Sequence, residues 1–152
     1  MKQQLIYIDT SVVGGVFDEE FAHYSKLLFD NVIAGEYKIL ISDILEQELE
    51  QAPDRVVAFF ADIPEDVIIR VELTEAADLL AAEYLAADVV GATSRTDCQH
   101  IAIATIAGAD ILVSWNFKHI VNVLRIRGYN SVNLINGFRQ LEIRDPRALV
   151  GI

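Results

Sequence analysis

The sequence predicts a single α/β domain in which a mainly parallel sheet is covered by helices on both faces, and three observations predict it. Short β-favouring apolar runs alternate with stretches of helical periodicity along the whole chain. The first two runs each stop at a polar residue, Leu5-Ile6-Tyr7-Ile8 at Asp9 and Lys38-Ile39-Leu40-Ile41 at Ser42, as buried parallel strands do. The 152 residues are 53% apolar, show no repeat and no Gly/Ser/Pro-rich linker, and carry three prolines that stand singly. One continuous core and one domain spanning 1–152 are therefore expected.

Between the first two strands, Phe21, Tyr24, Leu27, Leu28 and Val32 recur at helical spacing and Gly35 supplies a stop, which makes a βαβ unit. Ser42 caps a helix to about Gln51. Pro53-Asp54 then breaks and restarts the helix, with Val56 to Phe60 as the next apolar face. Val67 to Leu73 is predicted as the third strand, Thr74 as the cap of an alanine-rich helix toward Ala87, and Val89 to Thr93 as a loop. Ser94 or Thr96 opens a helix toward Ala107. Asp110 to Ser114 reads as the fourth strand, Lys118 to Arg127 as a helix, and Ser131 to Leu134 as the fifth strand.

Composition excludes several classes. The single Cys98 forms no internal disulfide, and with three scattered histidines it offers no zinc-ligand spacing; a reducing, cytoplasmic setting is expected. Met1 to Ile8 carries one lysine and a short apolar run that meets Asp9, too short for a signal peptide core. The run from Ile101 to Val113 is broken by Gly108 and Asp110 and falls short of the roughly 20 residues that span a bilayer, so no membrane segment is expected. No Gly-x-Ser-x-Gly elbow, phosphate-binding glycine loop or dinucleotide fingerprint is present. A net charge of −11 argues against tight nonspecific duplex binding. Residues 1–110 hold 6 basic and 21 acidic side chains, however, whereas residues 111–152 hold 6 basic and 2 acidic. Lys118, Arg125, Arg127, Arg139, Arg144 and Arg147 are thus either a face for a polyanion or ordinary solvated surface.

In open parallel sheets, ligands bind outside the carboxyl ends of the strands. Asp9, Thr10 and Ser11 follow the first strand, and Ser114 and Asn116 follow the fourth. Asp9 taken alone reads equally as a turn or helix cap. Glu48 lies between Ile44 and Leu45 on the helical wheel, opposite Glu46 and Glu50, so it faces the protein. An inward carboxylate must be paired, protonated or metal-bound, and a buried salt bridge is the plain alternative. Asp97 shares a face with Ile101 and Ala104 near a helix N-terminus, where dipole stabilisation is the plain alternative. His100 reads first as a satisfied histidine at the core edge. Carboxylates gathered at one place repel one another unless a hard divalent cation such as magnesium or manganese neutralises them. Such an ion suits hydrolysis of a phosphodiester.

The whole chain resembles the PIN-domain ribonucleases, especially the VapC-type toxins. The carriers are Tyr7-Ile8-Asp9-Thr10-Ser11, the segment Ile41 to Leu49, Thr96-Asp97-Cys98-Gln99-His100-Ile101-Ala102, and Ile111 to Ile120 with Ser114-Trp115-Asn116 at its centre. Each motif is short, and their order and spacing carry the resemblance. It implies a three-layer α/β/α fold with a five-stranded parallel sheet of order 3-2-1-4-5, a magnesium or manganese site, and endoribonuclease activity on RNA. Asp9, Glu48 and Asp97 match the metal-binding acids of the family. Asn116 stands where many members place a further aspartate, which bears on a second metal and on full activity. Asn116, Ser114 and Thr10 are expected to position water or phosphate. The toxin resemblance further implies a homodimer and a protein antitoxin lying in an apolar groove of the early helices. Phe21, Tyr24, Phe59 and Phe60 are candidates for that groove, with core packing the favoured reading of their spacing.

Two rivals share the architecture. A phosphoacceptor receiver domain would place adjacent acids after the first strand and a lysine after the fifth, where this chain has Asp9-Thr10-Ser11 and Asn136-Gly137. A noncatalytic PIN-like interaction module fits the same fold, because fold does not fix activity.

Overall fold

The computed structural model describes residues 3–90 and 94–150. A five-stranded, all-parallel sheet of order β3-β2-β1-β4-β5 forms its middle layer. The strands are β1 (Gln4–Ile8), β2 (Tyr37–Ser42), β3 (Ile68–Val71), β4 (Ile111–Val113) and β5 (Glu142–Arg144). The helices are α1 (Thr10–Gly15), α2 (Ala22–Ile33), α3 (Asp43–Leu49), α4 (Asp54–Ala61), α5 (Glu75–Ala86), α6 (Arg95–Ile106), α7 (Val123–Ile135) and α8 (Arg147–Val150).

Alternation along the central strands builds two cores. Tyr7, Leu40, Leu112 and Ile143 face one side and pack with Leu80, Tyr84, Ile101 and Tyr129 of α5, α6 and α7. Ile6, Ile8, Ile39, Ile41 and Val113 face the other and pack with Val12, Leu28, Phe29 and Leu45 of α1, α2 and α3. Successive side chains of a strand point to opposite faces, so a strand buried on both sides has to be apolar throughout. Ile6, Tyr7 and Ile8 are accordingly all fully buried.

Two predicted caps hold, Ser42 accepting from the Leu45 amide and Thr74 from the Ala77 amide, and Gly35 ends α2's turn at φ +90°; Ser94 precedes α6 without a side-chain cap bond. Three elements differ from expectation. Ser131 to Leu134 is not a strand but the last part of α7, and the fifth strand is Glu142–Arg144. The helix expected over Lys118 to Arg127 starts only at Val123, where Asn122 caps it by accepting from the Leu124 and Arg125 amides. Ile126, Tyr129, Val132 and Asn133 then follow one helical face, and packing of that face overrides the β preference of a short local run. The predicted third strand is shorter at both ends, its Val67 lying in a 3-10 turn. Of the loop expected over Val89 to Thr93, residues 91–93 lie outside the described residues. Among the described residues no helix is long and apolar enough to cross a membrane.

One glycine locks α1 to the rest. A Cβ on Gly15 would stand 2.6 Å from Ser25 Oγ and 2.8 Å from Trp115 Nε1, against both partners of the 2.8 Å hydrogen bond that those two atoms make. We expect Gly15→Ala to cost about 1–3 kcal/mol, the usual range for overpacking, seen as a lower urea midpoint with unchanged slope. A midpoint equal to that of the parent protein would refute this packing.

Candidate active site

The strand order reverses between β1 and β4, and the crevice beyond their carboxyl ends is where a doubly wound sheet offers a site. Asp9 leaves β1 there and Ser114 leaves β4. Their side chains meet: Ser114 Oγ donates to Asp9 Oδ2 and Ser11 Oγ donates to Asp9 Oδ1, both at 2.6 Å. The Asn116 amide donates to Ser114 Oγ, and Asn116 Nδ2 donates to Asp97 Oδ1 at 3.3 Å. On the other flank, Thr10 Oγ1 donates to Glu48 Oε1 at 2.9 Å, and His100 Nε2 lies 2.7 Å from the same oxygen. Thus α1, α3, α6 and the segment after β4 deliver all six predicted residues to one mouth.

The three carboxylates sit in different environments. Asp9 is 5% exposed, and among the described residues it forms no ion pair. Burial pushes its carboxyl above the ordinary range, against the opposing pull of His100 and the two serine hydroxyls, and the charge of Asp97 adds to the rise. Glu48 does not face inward as its wheel position suggests. Its side chain is 40% exposed, because α3 lies at the edge of the crevice. Partial burial raises Glu48, but the hydrogen bond and charge of His100, with the Thr10 hydroxyl, outweigh that and hold it below the usual carboxylate range. Asp97 is half-buried and has His119 Nδ1 3.1 Å from its second oxygen.

Two roles change with the geometry. Ser114, expected to position water or phosphate, is fully buried, with its hydroxyl taken by Asp9 and the Asn116 amide; it positions Asp9 instead. His100 is 2% exposed and satisfied at both nitrogens, as a core-edge histidine should be, with the Tyr7 hydroxyl 2.6 Å from Nδ1. The same ring also reaches Glu48, a contact that the residue's helical position alone does not announce. His119 carried no expected role. The signal for it was available, since Asn116 and His119 lie three apart, and Asn116 Oδ1 accepts from the His119 amide in a turn that aims the ring at Asp97.

The donors here are carboxylate and hydroxyl oxygens, the set that hard divalent cations take, and the buried charge of Asp9 lacks a cationic partner. In that chemical sense the residues fit magnesium or manganese. Among the described residues no three acidic or histidine side chains already stand as a coordination sphere, each carboxylate being turned onto its own hydrogen-bond partners. Burial also excludes a cysteine nucleophile: the Cys98 thiol is buried and pushed up to about 12, with Asp97 adding to the effect. A wider cleft of about 540 Å³ is lined by Glu46, Glu50, Arg70 and Glu72. It holds none of the Asp9 network, and converging carboxylates mark a site better than volume does.

Three solved structures share this fold. Mycobacterium tuberculosis VapC20, a sarcin-ricin loop cleaving toxin, superposes with a TM-score of 0.59 at 15% identity, over 90% of this chain and 98% of its own. The chain has the PIN-like fold. A chain of Rickettsia felis VapBC2, bound to a DNA fragment from its promoter, gives 0.56 at 13% identity over 93% and 98%. One of DNA-bound VapBC from Salmonella typhimurium gives 0.54 at 16% over 96% and 100%. No protein-family model and no curated protein matches the sequence.

The aromatic residues expected near a groove divide into two groups. Phe21 stacks on Trp115 with centroids 4.2 Å apart, and Tyr24 lies beside it. Phe59 packs edge-on against Phe17 and Phe29. All four, Phe60 included, pack against the core. Of the basic residues near the C-terminus, Arg144 and Arg147 pair with Glu142 and Asp145, and Arg125 donates to the Val89 carbonyl.

Proposed function

We propose that this chain is a VapC-type PIN-domain ribonuclease, a hydrolase that cuts RNA phosphodiester bonds with the help of magnesium or manganese. The observation that carries the proposal is Asp9, a buried carboxylate without a cationic partner among the described residues, at the switch point of the sheet and joined through Ser114 and Asn116 to Asp97. A buried, unpaired charge costs several kcal/mol, and function is the usual reason for keeping one.

In this reading Asp9, Glu48 and Asp97 hold the ion. When bound, a divalent ion supplies charge stabilisation to the phosphodiester and lowers the pKa of attacking water. The chain's residues do the rest. Ser11 and Ser114 fix the plane of the Asp9 carboxylate, and Thr10 and His100 fix Glu48. Asn116, with both ends of its amide engaged by Asp97 and the His119 backbone, sets the Asp97 side of the mouth. Water attacks phosphorus on the open side, the P–O bond to the departing ribose oxygen breaks, and the proton lost by the water ends on that oxygen.

RNA is the substrate of the proposal and a protein antitoxin the partner. The likeness to VapC20 and to two VapBC assemblies supports both. A homodimer, as the resemblance implies, belongs to the same proposal.

Purified protein is expected to cleave RNA with manganese or magnesium, to stop in EDTA, and to lose activity as Asp97→Asn at equal concentration. Cleavage that survives in Asp97→Asn belongs to a contaminant or another site. If no cleavage occurs under any condition, the chain is the noncatalytic PIN-like module instead.

A further inference from the structure

Beside the carboxylate mouth lies a second, smaller cleft of about 290 Å³, between α1 and the segment after β4. We propose that it is a subsite for one unpaired nucleobase of the RNA strand, next to the phosphate at the carboxylates. The inference rests on the ribonuclease reading for its substrate and adds the part of the substrate that the site grips.

Continuity comes first. Ser11 and Asn116 line the cleft and also belong to the network around Asp9 and Asp97, so a base one sugar away from a phosphate in the mouth reaches it. Size comes second, for the volume falls at the low end of ligand clefts and admits one flat ring system rather than a length of peptide. The wall is aromatic. Phe21 and Trp115 are stacked nearly parallel, at 15°, and the Trp115 indole N–H is already taken by Ser25, so the wall offers ring surface rather than donors. Trp115 is itself 5% exposed, so the ring surface open to the cleft is that of Phe21; next to the lining, Phe117, 40% exposed, leans on both rings, with the Arg147 guanidinium 5.7 Å from its centroid. Aromatic rings with an arginine at their edge are how single strands are gripped without much sequence preference. Asp18, also on the lining, repels phosphate but accepts from the N–H edge of a base.

Gly14 gives the cleft its independent mark. It sits inside α1, where glycine is a poor helix former, and its φ is not positive. A Cβ placed on it would meet nothing within 4 Å. Neither backbone conformation nor packing within the fold therefore requires glycine here, in contrast to the adjacent Gly15, and the residue's small size keeps the lining of the cleft clear. A base inside a duplex is stacked on its neighbours and unavailable to such a cleft, so the strand must be unpaired there.

Trp115 is the only tryptophan, which gives a direct readout. A single-stranded 2′-O-methyl RNA oligomer, which resists cleavage, is titrated in EDTA against the intrinsic fluorescence of the wild-type protein, Gly14→Ala and Gly14→Leu. Saturable quenching is expected for wild type, with an apparent Kd that weakens on going to Gly14→Ala and is at least tenfold weaker for Gly14→Leu, on the scale of one lost stacking contact, while a duplex of the same sequence quenches none of the three. Thermal melting establishes that the variants fold; should Gly14→Leu not melt cooperatively, Gly14→Val takes its place. Equal quenching of wild type and the leucine or valine variant, or no quenching of wild type, overturns the subsite. Cleavage assays keep the two readings apart, because quenching without metal-dependent cleavage retains the subsite and removes the ribonuclease.

Discussion

Asp9→Asn is expected to lower RNA cleavage by a factor on the order of 10²–10³ or more, the scale of losing one preorganised charged group from a catalytic site, without weakening the metal-free fold. The two effects separate because the same burial produces both. Asp9 is enclosed, burial disfavours its charged form, and only hydroxyl groups donate to it. Asparagine has the same shape and no charge. Its oxygen accepts from one serine, and its amide donates to the other serine's oxygen, which retains a free lone pair. The desolvation cost disappears while the packing stays. The melting temperature in EDTA at neutral pH should therefore equal or exceed that of the parent protein, and addition of manganese should raise it less than it raises the parent's. A variant that cleaves RNA within a few-fold of the parent, or that melts many degrees lower, would show that Asp9 is a structural cap after all.

Sequence periodicity was a good guide wherever tertiary context agreed with local preference. The runs ending at Asp9 and Ser42 are strands because their last three residues, Ile6-Tyr7-Ile8 and Ile39-Leu40-Ile41, are apolar and buried, and both faces of the sheet are covered. Ser131 to Leu134 misled because a four-residue run reads the same in a strand as in a helix, and the deciding residues, the Asn122 cap and the buried Tyr129, lie outside it. β5 was missed because only Ile143 of its three residues is buried, which leaves an edge strand almost no apolar signal. At the site, wheel positions did not give how deep each carboxylate lies. They suggested an inward Glu48, yet α3 is too short and too near the rim to bury it. Contacts between residues far apart in sequence had no local signature. The pairing of His100 with Tyr7 across 93 positions, and of Ser11 with the Trp115 amide across 104, depends on the closing of the parallel sheet.

His100→Ala should be the most damaging single truncation around the site, because it empties a buried position and breaks a relay that crosses the core. The Tyr7 hydroxyl lies between Ser42 Oγ at 2.9 Å and His100 Nδ1 at 2.6 Å, and the far side of the ring meets Glu48. An ionised carboxylate can only accept, and Glu48 is held ionised, so Nε2 carries a proton. Alanine leaves a cavity under α6 and takes from Tyr7, itself fully buried, one of its two partners. Cavity and lost hydrogen bonds together cost roughly 2–5 kcal/mol, or a fall of about 5–15 °C in a domain of this size. The functional share is separable. Without the ring, Glu48 keeps only Thr10 and is free to turn toward solvent, and loss of such an orienting partner weakens a metal site by about 10–100-fold. The stabilisation that a fixed, saturating manganese concentration adds should then shrink by about 1.4 kcal/mol for each tenfold loss. His100→Gln, which can still donate toward Glu48, should recover part of that increment while remaining less stable than the parent. If His100→Ala melts within two or so degrees of the parent, the relay is not holding the core; if it melts low but gains as much from manganese as the parent does, His100 supports the fold and leaves Glu48 to orient itself.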